Sequence, residues 1–274
     1  MSIKNILLAH TGSAAFPGSL RHALKIAKRH DAWLTGMYSG STSYFDQILR
    51  LSEDLRLRLK DAEREKIADL RDMFDKEAAA AGIGERCEFV LPEVIGRAAP
   101  SEIARNFDFV VTGFHPKLPT DEYRAVSPDI IALRSGRPVL VVPDGYETDS
   151  MAGHALVAWD GKRSAARAIN DAMAVLETKP RKVSILTVGN VLQDLPSAEW
   201  IMSHLERHGI DAEHIPLARP ERSIAEIIQT TADKIGAKLV VMGAYEHSKF
   251  SQDVFGGVTH HVLRSIKIPV FMSH

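Results

Sequence analysis

Cysteine is nearly missing: Cys87 is the only one in 274 residues. A lone cysteine excludes an internal disulfide and a cysteine-based zinc centre, and its scarcity fits a reducing cytoplasm. No apolar run approaches the roughly 20 residues that a membrane-spanning helix needs. Neither sign of charge dominates, since 34 basic and 35 acidic residues leave a formal net charge of −1. That balance supplies no long-range field for nucleic acid or an anionic membrane. The Gly-x-x-x-x-Gly-Lys-Ser/Thr loop of P-loop ATPases is missing as well. His10, His30, His115 and His247 are scattered. His260 and His261 are adjacent, whereas a helical metal pair is spaced three or four apart, so they read as surface or capping residues. No set of His, Cys and carboxylate stands out as acid, base and nucleophile, and no enzyme class is assigned.

What the chain does have is a repeat. Val240-Val241-Met242-Gly243-Ala244-Tyr245-Glu246 is followed by nine residues, then Gly256-Gly257-Val258-Thr259 and a helix ending Leu263-Arg264-Ser265. The frame recurs earlier as Val110-Val111-Thr112-Gly113-Phe114-His115-Pro116, nine residues, Val126-Ser127-Pro128-Asp129 and Leu133-Arg134-Ser135. Both copies close on a proline-led apolar strand, Pro138–Val142 and Pro269–Met272. A shared strand, loop length, helix end and final strand indicate internal duplication.

Length and composition agree, with 45% hydrophobic and 25% charged residues in a chain long enough for two cores. The opening run Ile6-Leu7-Leu8-Ala9 reads as a first strand rather than a signal peptide. Further strands are expected at 32–38, 87–91, 109–113 and 138–142. A long amphipathic helix is expected from about Phe45 to Ala81, stopped by Gly82-Ile83-Gly84. Its charges read as a solvated face over an apolar stripe. The polar turn 143–150 marks the boundary, giving units of 1–146 and 152–274. The second unit repeats the order, with strands at 155–159, 182–188, 212–215, 238–242 and 269–272. Its helices fall at 164–176, 197–208 and 223–235, before the last helix. Alternating helices and near-continuous apolar strands predict an α/β fold with parallel sheets covered on both faces.

Ligands of open parallel sheets bind beyond the strand carboxyl ends, where strand order reverses. In the second unit that crevice gathers Ala158-Trp159-Asp160-Gly161, Gly243-Ala244-Tyr245-Glu246 and the Gly256-Gly257-Val258-Thr259 turn. Glycines beside a helix start let backbone N–H groups wrap a phosphate, and Asp160 can accept hydrogen bonds from a ribose or a base amino group. Lys162 and Arg163 read as solvated residues within reach of a phosphate. Spacing alone also admits a purely structural role for these glycines.

The second unit resembles a universal stress protein domain, the UspA-like family of the adenine-nucleotide α-hydrolase-like fold. That family's ATP-binding members carry Gly-x-x-Gly, nine residues, then Gly-Ser or Gly-Thr; the frame here is Gly243, Glu246 and Gly256-Gly257. The resemblance implies two tandem open five-stranded sheets of order 3-2-1-4-5, paired within the chain through their last strands. It implies ATP as ligand, with Asp160 at the adenosine, Ala158 and Val188 lining the base pocket and Met242 beside it. Gly243 and Gly256 would admit phosphates, Gly257 and Val258 would donate backbone N–H groups, and Thr259 would add a hydroxyl. It further implies a cytoplasmic stress-response role as a nucleotide sensor, with two chains pairing as a homodimer.

Two departures weaken this site. Glu246 replaces the second glycine, and like charges about 4 Å apart cost roughly 1 kcal/mol in water or 4 kcal/mol at a dielectric near 20. Mg2+, or an outward rotamer, would relieve that. Gly257 replaces the Ser/Thr and keeps only its N–H. The first unit departs further: Thr11 stands in place of Asp160, Pro116 and Pro128 lack N–H groups, and Val126 is β-branched. It reads as a structural partner that binds no ATP through that loop. Two other functions stay open: an interaction protein working through the long helix, and a slow ATP hydrolase.

Overall fold

The computed structural model describes residues 3–10, 12–38, 52–91, 98–114, 127–146, 153–177, 182–193, 195–218, 221–244 and 257–274. The first half runs β1 (Asn5–His10), α1 (Phe16–His30), β2 (Trp33–Tyr38), α2 (Glu53–Ala80) and β3 (Cys87–Val90), then α3 (Pro100–Ile103), β4 (Phe109–Phe114), α4 (Pro128–Ser135) and β5 (Val139–Pro143). The second runs β6 (Ala155–Ala158), α5 (Arg163–Leu176), β7 (Lys182–Val188), α6 (Ala198–Arg207) and β8 (Asp211–Leu217), then α7 (Ile224–Ile235), β9 (Leu239–Gly243), α8 (Val258–Ser265) and β10 (Val270–Ser273).

Each half has the order 3-2-1-4-5 with parallel neighbours, as the alternating pattern predicts. The two halves are not separate sheets, however. One ten-stranded sheet runs β3-β2-β1-β4-β5-β10-β9-β6-β7-β8. Among the described residues its only antiparallel pair is β5 with β10, in the register Val141↔Val270, Leu140↔Phe271 and Val139↔Met272. The physical reason lies in the two strands. Val139 to Val142 and Val270 to Met272 are buried almost completely, and an unpaired apolar edge would expose both hydrocarbon and ladder groups.

Alternation along each strand feeds two cores. Ile6 and Leu8 face one layer with Leu20, Ala23 and Ala27 of α1, Phe74 of α2 and Ile169 and Ala172 of α5. Leu7 and Ala9 face the other, with Ile131 of α4, Ile228 of α7 and Val262 of α8. A period of two in the strands thus meets apolar stripes on helices of both faces.

Local signals set the helix limits. Ser52 accepts the Leu55 N–H at 3.4 Å and begins α2, with Glu53 and Asp54 in its positive first turn. The helix therefore starts later than the Phe45 expected from composition, and residues 39–51 lie outside the described residues. Ser223 and Glu226 cap α7 reciprocally, and Gly236 ends it at φ +64°. In α2 only Leu70, Phe74 and Ala78 are buried, one residue per turn. The turns before them are solvated, with Leu55, Leu57 and Leu59 exposed.

Candidate functional site

Strand order reverses at β6, which has β7 on one side and β9 on the other, so the crevice opens above the ends of β6 and β9. Ala158 is level with Met242 there. Asp160 follows β6, and its Oδ1 accepts the Lys162 N–H at 3.1 Å. This side-chain turn, together with Gly161 at φ +74°, swings the chain into α5. One carboxylate oxygen of Asp160 is therefore committed to its own loop. Gly161 is covered from outside: a Cβ there would lie 2.5 Å from Leu195 Cδ1 and 2.9 Å from Leu192 Cδ2. Nothing in the sequence pointed to these leucines, because they follow β7 and reach Gly161 only through the fold.

Ala158 and Val188 are half-buried and border the crevice against the second core layer, whereas Met242 is a core residue of that layer. At Gly243 a Cβ would meet Ser164 Oγ at 2.5 Å and Ala165 N at 2.7 Å. Its missing side chain seats the first turn of α5. Gly257 is the reverse case: nothing lies within 4 Å of a Cβ placed there, and φ is −77°. It precedes α8, whose first residue Val258 is 43% exposed. Among the described residues, the Cβ side of this helix start is uncovered. Thr259 is buried and engaged within the protein. Glu246 and Gly256 lie outside the described residues, as do Thr11, Pro116 and Val126.

Gly12, the first-half counterpart of Gly161, is covered in the same way: at φ +68° it lies under α2, where a Cβ would fall 2.5 Å from Lys66 Cε and 2.7 Å from Leu70 Cδ1. Gly113 repeats the packing of Gly243, with Ala15 Cβ 2.5 Å and His10 Nε2 2.6 Å from its Cβ position.

His10 is a residue whose environment sequence reasoning missed. Its Nδ1 accepts the Gly12 N–H at 3.0 Å, which leaves the proton of the neutral ring on Nε2. That Nε2 is buried without a partner. Burial first, and the Lys66 charge second, hold its pKa down to about 3. The unfolded chain takes up a proton near pH 6.5 and the folded one does not. Stability is therefore complete above pH 6.5 and falls as pH drops towards 3. At pH 5 the loss is roughly 2 kcal/mol. Urea unfolding at pH 7 and pH 5 checks this: His10→Leu should lose about that much less than the parent, and equal losses would refute it.

Among the described residues, no group of three or more His, Cys, Asp or Glu could hold a metal ion. No helix among them is long and apolar enough to cross a membrane. His261 is exposed and turns its Nδ1 to the Gly257 carbonyl at 3.1 Å, one turn back along α8.

The model of the universal stress protein family matches residues 151–274. No curated protein matches the chain in sequence. A universal stress protein from Archaeoglobus fulgidus DSM 4304 is similar at 17% identity and TM-score 0.74, over 98% of this chain and 96% of that one. A functionally unknown protein from Pseudomonas aeruginosa PAO1 is similar at 16% identity and TM-score 0.56, over 99% and 92%. The A. fulgidus universal stress protein solved in complex with dAMP aligns at 20% identity and TM-score 0.33, over 44% of this chain and 97% of that one. At these identities the likeness is one of fold.

Proposed function

From the premise that residues 151–274 belong to the universal stress protein family, we propose that the second half binds ATP or another adenine nucleotide and acts in the cytoplasmic response to stress. The units are 1–146 and 152–274, paired within the chain, and two chains pair as a homodimer. The observation that carries the reading is the open helix start at Gly257 and Val258. It belongs to the same crevice as Asp160. Free N–H groups at a helix N-terminus favour an anion. Asp160, with one oxygen held by Lys162 N–H, presents a carboxylate fixed in direction to a ribose or base amino group. Mg2+ accompanying the phosphates would offset the acidic charge of Glu246.

Isothermal titration with ATP, ADP, AMP and adenosine tests this. Asp160→Ala should weaken every one of them, by roughly tenfold or more, because the contact is to the nucleoside that all four share. Flat titrations of the parent protein at millimolar ligand would overturn the reading. One observation favours a second reading in that event. Leu55 and Leu59, one turn apart on the same side of α2, stand exposed, a pair suited to a protein partner.

A further inference from the structure

Antiparallel pairing of β5 with β10 has a consequence for the second-half crevice. The start of β5 is placed at the end where the second half's strands finish, with Val139 level with Met272. Ser273 is in turn level with Gly243. Extending the same register puts Arg137 level with Ala244, two strands away, and with Asp160, three strands away. At the usual spacing those separations are roughly 10 Å and 14 Å. The α4–β5 turn of the first half therefore flanks the crevice opposite Asp160.

This turn is rich in guanidinium. Arg105 donates to the Arg134 carbonyl at 3.4 Å. Arg137 donates to the Arg105 carbonyl at 3.0 Å. Arg167, on α5 of the second half, donates to the Gly136 carbonyl at 3.2 Å. Four arginines from three segments thus meet in one patch. These bonds satisfy the Arg134 and Gly136 carbonyls at the end of α4 and the Arg105 carbonyl before β4, and leave further N–H donors on each planar fork. Asp171 pairs with Arg167 of the patch at 3.3 Å. Asp108 accepts the Lys4 and Asn5 N–H groups, and Glu102 accepts the Ala99 N–H. Arg134 is exposed, and no carboxylate among the described residues pairs with it, Arg105 or Arg137. In a chain of net charge −1, Arg105, Arg134 and Arg137 are a local concentration of cations that no carboxylate of the described residues pairs with, beside an Arg167 that Asp171 neutralises.

We propose that Arg105, Arg134, Arg137 and Arg167 form a polyphosphate-binding patch, supplied mainly by the first half, that receives the phosphate chain of a ligand entering the second-half crevice. The ligand chemistry is a run of linked phosphates, either the tail of a nucleoside triphosphate or free inorganic polyphosphate. The nucleotide form of the proposal rests on the function proposed above; the patch itself does not. Its role is to discriminate by phosphate number, because each added phosphate brings charge nearer the guanidinium groups.

The test compares ATP, adenosine and inorganic tripolyphosphate on the full chain, parent against Arg134→Gln/Arg137→Gln. Arg134→Gln alone, whose side chain has no partner, guards against loss of folding, and Arg137→Lys keeps the charge. ATP affinity should fall roughly tenfold in the double variant, with a weaker salt dependence, while adenosine is unchanged and Arg137→Lys retains most of the affinity. If the parent binds tripolyphosphate but neither ATP nor adenosine, and the double variant loses it, the patch stands and the nucleotide reading fails. Equal ATP and tripolyphosphate affinities in parent and double variant would overturn the patch, whatever adenosine does. No binding of tripolyphosphate or ATP by the parent would overturn it too.

Discussion

Gly243→Ala should destabilise the protein by roughly 3 kcal/mol, near the upper end of what one inserted methyl group costs in a packed interior. In a chain of this size that is a fall in melting temperature of roughly 10 °C. The added Cβ would meet Ser164 Oγ at 2.5 Å, Ala165 N at 2.7 Å and the Ser164 carbonyl carbon at 2.8 Å. Two of these are backbone atoms in the first turn of α5, so no rotamer change relieves the contact. Either α5 lifts from the sheet or β9 shifts, and both disturb the loop that carries Asp160. Gly257→Ala is the matched control. It meets nothing within 4 Å at a backbone conformation open to any residue, so its melting temperature should equal the parent's. Any effect it has should be on ligand affinity alone. A Gly243→Ala protein that melts with the parent would show that α5 is not seated as described.

This pair of glycines shows where a sequence motif stops being legible. Both belong to one Gly-rich frame, and spacing cannot say which serves the ligand and which the fold. The first half helps to decide. Gly113 is kept there beside Ala15 and His10 with the same close approach, although the frame around it has lost the residues a phosphate needs. A glycine that persists where the motif has decayed is explained by helix packing. The fold was far more legible, because period-two strands alternating with capped helices report burial directly. All ten strands fall where the apolar runs put them. What sequence periodicity could not report is anything made by contact across the fold. The leucines over Gly161, the Lys66 and Leu70 side chains over Gly12 and the continuity of β5 with β10 are all of that kind. The burial of Thr259 is of a related kind: a side chain one position into a helix faces inward or outward according to helix phase, and here it is buried.

Phe271→Ala should cost about 4 kcal/mol, within the range for deleting a buried aromatic ring. Phe271 is fully buried on β10, opposite Leu140 of β5, and stacks on Phe109 of β4 at 5.6 Å with an interplanar angle of 23°. It thus joins residues of both halves in the layer that also contains Leu20 of α1 and Ile169 of α5. An aromatic pair of this geometry adds about 1 kcal/mol beyond area burial. The position predicts more than a loss of stability. Contacts between the halves make them unfold together, and this ring is at the centre of those contacts. The parent should show a single calorimetric transition, and the variant a broadened or divided one as each half approaches its own midpoint. Trp200→Ala, at a residue 75% exposed on α6, should leave the transition unchanged. If Phe271→Ala melts in one sharp step within about 1 kcal/mol of the parent, the ring does not couple the halves, and the ladder between β5 and β10 must do so through its backbone alone.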